Sequence, residues 1–83
     1  MYQVVIEKHI EKQLQKVPRG DYLKIKTLIL NLASNPRPAS CKKLKSIDAY
    51  RIRHGNYRII YEIHDLILTV IVIEAGHRKS IYK

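Results

Sequence analysis

The stretch YRIRHGNYRIIYEI, residues 50–63, constrains what this chain can fold into more than any other. Apolar and charged residues alternate on both sides of Gly55-Asn56, a pair that closes two-residue hairpin loops, so two antiparallel strands are predicted. With that pair as the loop, His54 faces Tyr57, Arg53 faces Arg58, Ile52 faces Ile59 and Tyr50 faces Tyr61. Side chains two apart share a face. Tyr50, Ile52, Ile59 and Tyr61 therefore form one face, the core. Arg51, Arg53 and Arg58 fall on the other, with Glu62 the only nearby acid expected there.

Like charges directly opposite destabilise a strand pair. A single surface arginine fans its stem across the protein and keeps its head in water, but three on one patch point to an anion site. The charge balance agrees, with 16 Lys and Arg against 7 Asp and Glu and a formal net charge of +9 in 83 residues. That excess favours polyanions or acidic proteins as partners. The length predicts one domain spanning residues 1–83. Cys41 is the only cysteine, which rules out an internal disulfide or a cysteine-based zinc site and suits a reducing cytoplasm. The start MYQVVIEKH meets a charge at Glu7 and has no basic opening, unlike a signal peptide. The longest apolar run, Leu66 to Ile73, is too short to span a bilayer. A cytoplasmic protein with no membrane partner is expected.

YQVVIE reads as a first strand, with Tyr2, Val4 and Ile6 on one face. Ile10, Leu14 and Val17 then follow helical spacing until Pro18, and PRGD makes a corner. From Asp21, a second helix carries Ile25, Leu28, Ile29 and Leu32 inward until SNPRP closes it. ASCKKLKSID is a polar, basic connection that Leu44 and Ile47 pin down. After the hairpin, LILTVIVIEA is apolar on both faces, as a central strand would be. A turn at His64-Asp65 would set Ile71 beside Arg58 and lead the arginine face on to Ala75 and His77, with Gly76 breaking the strand. The fold class expected is α+β in the order β-α-α-β-β-β, a small antiparallel sheet packed against an N-terminal helical hairpin.

Few kinds of chemistry fit. The seven acids are scattered, so the converging carboxylates of a metal nuclease are missing, and His9, His54, His64 and His77 lack ligand spacing on one element. No Walker loop, nucleotide-binding glycine fingerprint or serine elbow occurs. No metal and no cofactor are therefore expected. What remains is metal-free chemistry on RNA, which carries its own nucleophile in the 2′-hydroxyl. The protein would orient it, remove its proton, stabilise charge on the phosphorane and protonate the leaving 5′-oxygen. Arginine suits the charge stabilisation. His77 would act as acid or base, and Tyr82 would share that work or stack on a base.

The layout, with KKLK, YRIRHGNYRIIYEI and GHRKSIY, resembles the RelE-type toxins of toxin–antitoxin pairs within the RelE/ParE superfamily, over nearly the whole chain. The resemblance implies a ribosome-dependent endoribonuclease that cuts messenger RNA and is silenced by a RelB-like antitoxin. It implies a toxin that is monomeric alone and joins a higher-order complex with that antitoxin. By the family pattern Arg58 and Arg78 would stabilise the transition state, His77 would be a base or a phosphate contact, and Tyr82 matches the tyrosine near the carboxyl end. Arg51 and Arg53 would hold substrate or aid proton transfer, and Lys43 and Lys45 would hold substrate. Only three residues separate Arg78 from Tyr82, fewer than in some members, and the chain closes at Lys83 without the further helix that some members carry.

Two other functions stay open at this stage. A ParE-like toxin would poison DNA gyrase by binding alone, and a plain RNA or ribosome binder would show salt-dependent affinity and no product.

Overall fold

The computed structural model describes residues 1–77. β1 (Gln3–Ile6) leads into α1 (Lys8–Gln15) and α2 (Arg19–Asn31), followed by β2 (Lys42–Lys43), β3 (Tyr50–His54), β4 (Tyr57–His64) and β5 (Thr69–His77). The strands form one sheet in the order β1-β5-β4-β3-β2. The α+β class and the β3-β4-β5 meander are as the sequence reading expected. The sheet as a whole is mixed, because β1 pairs parallel with β5, Val4 beside Val70 and Ile6 beside Val72. The two helices between β1 and the meander carry the chain back to the same end of the sheet, which makes that parallel pairing possible. β2 adds a two-residue strand against β3 inside the basic connection.

Both helices cover one face. Ile10 and Leu14 of α1 and Ile25, Ile29 and Leu32 beside them are buried against Ile52, Ile59, Tyr61, Val70, Val72 and Ala75. Each fully buried aliphatic side chain is worth about 1.5–3 kcal/mol relative to exposure, so this seam is the main source of stability. α2 begins two residues before the expected start, at Arg19, with Pro18 as its cap residue at φ −50° and ψ 142°. Proline's fixed φ suits a helix entrance, and Asp21 in the first turn complements the positive end of the helix dipole.

The β3-β4 register is the expected one, with Arg53 beside Arg58, Ile52 beside Ile59 and Tyr50 beside Tyr61. Gly55 supplies the positive φ of the turn, 57°. The β4-β5 register differs from expectation. The connection is a short 3-10 turn, Asp65–Ile67, followed by Leu68 in the left-handed region at φ 49°. That turn uses more residues than the two foreseen, and an irregularity between Ile60 and Tyr61 shifts the pairing again. Arg58 therefore lies beside Gly76 and not Ile71, while Ile71 lies beside Glu62. Gly76 does not break the strand either, because β4 still offers Tyr57 and Arg58 as ladder partners and β5 runs on to His77.

A polar clasp ties the α2-β2 loop to the β4-β5 turn. The Arg37 guanidinium donates to both carboxylate oxygens of Asp65, at 3.3 and 2.9 Å, and its Nε–H donates to the Tyr50 hydroxyl at 3.3 Å. The Tyr2 hydroxyl donates to the same carboxylate. These contacts hold the Asp65 carboxyl below its ordinary range, with Arg37 the main cause. Behind the clasp, the Tyr61 hydroxyl donates to the Pro36 carbonyl at 2.8 Å, and burial pushes its pKa well above the ordinary tyrosine value.

Candidate functional site

The face of the sheet away from the helices carries the charge. Arg51, Arg53 and Arg58 share it, as residues of one strand two apart or directly opposite must. Arg53 is exposed and Arg51 half-buried, whereas Arg58 is only 8% exposed, the sole buried charged side chain among the described residues. Burying a guanidinium is costly and pays no packing dividend that an aliphatic residue would not exceed. Ile60, the next residue of β4 on the same face, is also buried.

The lysines sort differently from expectation. Lys43 lies opposite Tyr50, so it stands on the other side of the sheet from the arginines, and its ammonium bonds to Asp48 and lies 5.3 Å from the Tyr50 ring centre. That ion pair lowers the Asp48 carboxyl below its ordinary range. Lys42 lies opposite Arg51 and is the lysine on the arginine face. Sequence reasoning missed it because the parity of a two-residue strand cannot be told until its partner is known. Lys45 is exposed in the loop that follows β2. Glu62 bonds to His64 at 2.9 Å, and Glu74, opposite Ile60, is a second acid on the arginine face that the expected register had hidden.

His77 pairs with Tyr57, on the side of the helices, so the expected continuation of the arginine face through Ala75 to His77 is corrected by one residue of register. Tyr57 and His77 meet edge to face, with ring centres 5.7 Å apart and planes at 85°. They line a cleft of about 400 Å³ together with Gln13, Lys16, Val17, Glu74, Ala75 and Gly76. His54 bonds to Asp21 at 2.9 Å and so fastens the hairpin tip to the first turn of α2. Arg78 and Tyr82 lie outside the described residues. Among the described residues, no three His, Cys, Asp or Glu side chains converge as a metal ion would need. No helix among them is long and apolar enough to cross a membrane.

The arrangement is thus a basic sheet end, with arginines on one side and a histidine-tyrosine corner on the other. Two helices packed on one face of a mixed sheet, here with basic residues on the other face, are also found in the solved RelE structures. The archaeal RelE–RelB complex from Pyrococcus horikoshii OT3 superposes with a TM-score of 0.83 at 29% identity, covering 93% of this chain and 94% of that one. The RelB–RelE antitoxin–toxin complex from Methanococcus jannaschii gives 0.78 at 33% identity, covering 95% of each chain. A Methanocaldococcus jannaschii protein carrying the toxin name RelE1 is 33% identical over 86 residues, which span 99% of this chain and 96% of its own length. The family described as ParE toxin of type II toxin-antitoxin system, parDE, matches residues 4–82, and the chain belongs to it. It is a type II toxin of the RelE/ParE superfamily.

Proposed function

We propose that this toxin is a metal-independent endoribonuclease that cuts messenger RNA on the ribosome in the cytoplasm and is silenced by a RelB-like antitoxin. The observation that carries the reading is Arg58. Arg58 is a nearly buried guanidinium with Arg53 directly opposite, and two guanidiniums on one face suit the oxygens of a phosphate.

In the reaction, the 2′-oxygen attacks the adjacent phosphorus. The new O–P bond forms as the bond to the 5′-oxygen breaks, leaving a 2′,3′-cyclic phosphate and a free 5′-hydroxyl. One group takes the 2′-hydroxyl proton and another gives a proton to the 5′-oxygen. Arg58 and Arg78 hold the charge that grows on the phosphorane oxygens. Arg51, Arg53 and Lys45 hold the flanking backbone, and Lys42 joins them on the same face. Lys43 serves from the far side of β2, once released from Asp48. Proton transfer falls to His77 and Tyr82. No metal or cofactor enters the scheme.

The toxin alone is a monomer, and the antitoxin draws it into a larger complex by covering the basic face with acidic chain. Primer extension on programmed ribosomes tests the activity. Wild type cuts at A-site codons, while folded Arg58→Ala loses about 10²–10³ in rate, the usual cost of one charge-stabilising donor. Intact messages with folded wild type would sink the reading. The family description names ParE, so gyrase poisoning is the second reading. Inhibition of supercoiling by purified toxin, with no cut message, would establish it instead.

A further inference from the structure

We propose that the cleft between the end of α1 and the last residues of β5 is a nucleobase pocket, preferring bases with an exocyclic amine. The proposal rests on the ribonuclease reading for the identity of the RNA, and the pocket itself rests on geometry. β1 pairs with β5 only as far as Val72, yet β5 runs on to His77. Past Val72 the edge of β5 is not covered by β1, and the cleft sits there, lined by Glu74, Ala75, Gly76 and His77 on one side and by Gln13, Lys16 and Val17 on the other.

Its position fits a nucleotide bound at Arg58. Gly76 lies opposite Arg58, and the adjoining pair is Tyr57 with His77. Neighbouring positions on a strand are about 3.3 Å apart and point to opposite faces. A phosphate at Arg58 and a base against Tyr57 and His77 therefore lie on two sides of the same strand end. Glu74 bridges the two sides, since the register sets it on the arginine face and it also lines the cleft.

The lining supplies what base recognition needs. The Tyr57 and His77 rings meet at 85° and form two walls of a corner, against which a flat ring can stack. The Gln13 amide both donates and accepts, Lys16 only donates, and the Glu74 carboxylate only accepts. An acceptor-only carboxylate pairs with the amine of adenine, cytosine or guanine and repels the carbonyl-rich edge of uracil. A cleft of about 400 Å³ has room for one base.

The test is amide chemical-shift mapping of the full chain with short oligomers of adenosine, cytidine or uridine, and with an abasic ribose-phosphate oligomer of equal length. The amides of Gln13, Tyr57 and Gly76 shift with adenosine and cytidine, less with uridine, and not with the abasic chain. Gln13→Ala, an exposed helix position, weakens adenosine binding by about tenfold, as loss of one base contact would. Glu74→Gln erases the preference over uridine. Equal shifts with the abasic chain, or affinities blind to the base, overturn the pocket. Ribosome assays separate the two readings. Base-selective binding beside uncut messages removes the nuclease and keeps the pocket, whereas cut messages beside base-blind binding do the reverse.

Discussion

Arg53 and Arg58 stand directly opposite each other across the β3-β4 hairpin, one exposed and one 8% exposed. Side chains in such a pair have their Cβ atoms about 5 Å apart, close enough for like charges to work against the turn that joins them. On the proposed ribonuclease reading, a phosphate held between the two guanidiniums would turn that repulsion into a chelate.

Replacing Arg53 with threonine separates the two effects. Threonine is a good strand residue and removes the like charge, so chemical denaturation of Arg53→Thr gives a protein more stable by about 0.2–1 kcal/mol. The same variant binds RNA more weakly and cuts messages more slowly. A variant that loses stability would show that Arg53 is held by contacts the fold requires, and the anion reading of the pair would fail.

Salt dependence counts the phosphates. Arg51, Arg53, Arg58 and Lys42 share the face of the sheet away from the helices. If each meets one phosphate of a single strand, the slope of log K against log salt is about −3, and Lys42→Ala reduces it by about 0.7. Lys43→Ala changes it less, because Lys43 lies on the other side of β2 beside Asp48. Fluorescence anisotropy with one labelled oligomer across a salt series measures all three slopes. Equal effects of the two lysine variants would mean that the face does not sort the contacts.

How much of this was legible in the sequence depended on how local the determinant was. The β3-β4 register could be read because a two-residue turn leaves no freedom in the pairing, and Gly55 marked that turn. The helix stripes Ile10-Leu14 and Ile25-Ile29-Leu32 were equally plain, since burial on one side imposes their spacing. The parallel β1-β5 pair was not visible, because it joins residues more than sixty positions apart. The β4-β5 register failed for a different reason. Leu66, Ile67 and Leu68 look like strand residues yet form an exposed turn, 102%, 67% and 51% accessible. Apolar character without alternation cannot tell a turn from a buried strand. That shift hid Glu74 from the arginine face and moved His77 off it, so the shared face of Arg51, Arg53 and Arg58 could be read and the cleft beside Tyr57 and His77 could not.

The clasp at Asp65 is predicted to matter to the fold and not to the chemistry. Asp65→Asn removes the charge that Arg37 grips and weakens the link between the α2-β2 loop and the β4-β5 turn. Thermal unfolding of this variant shows a lower Tm, with cleavage of messages unchanged per folded molecule. Because the pair is exposed, added salt narrows the gap between variant and wild type. Loss of activity at unchanged Tm would instead place this turn in substrate binding.

Acid sensitivity follows from Glu11. Its carboxylate accepts from the Tyr22 hydroxyl at 2.8 Å and from Lys26 at 3.1 Å, joining α1 to α2. The Tyr22 bond is the chief cause that lowers its pKa in the folded protein below the ordinary 4.5. A lowered folded value means that the unfolded chain takes up the proton first. The contribution of Glu11 is thus full above pH 4.5 and is lost as the pH falls from there through the folded value. Asp65 and Asp48, also lowered, from 3.8, act in the same direction at lower pH. Stability is expected to fall with acidification below about pH 4.5, starting from a plateau that Glu11→Gln lowers by about 1 kcal/mol through weaker hydrogen bonds. The glutamine variant has no carboxyl at that position to protonate, so its curve declines less steeply and approaches the wild-type curve towards pH 3. Parallel curves, measured by urea denaturation at half-unit pH steps, would show that the Tyr22-Glu11-Lys26 link carries no protonation-dependent stability.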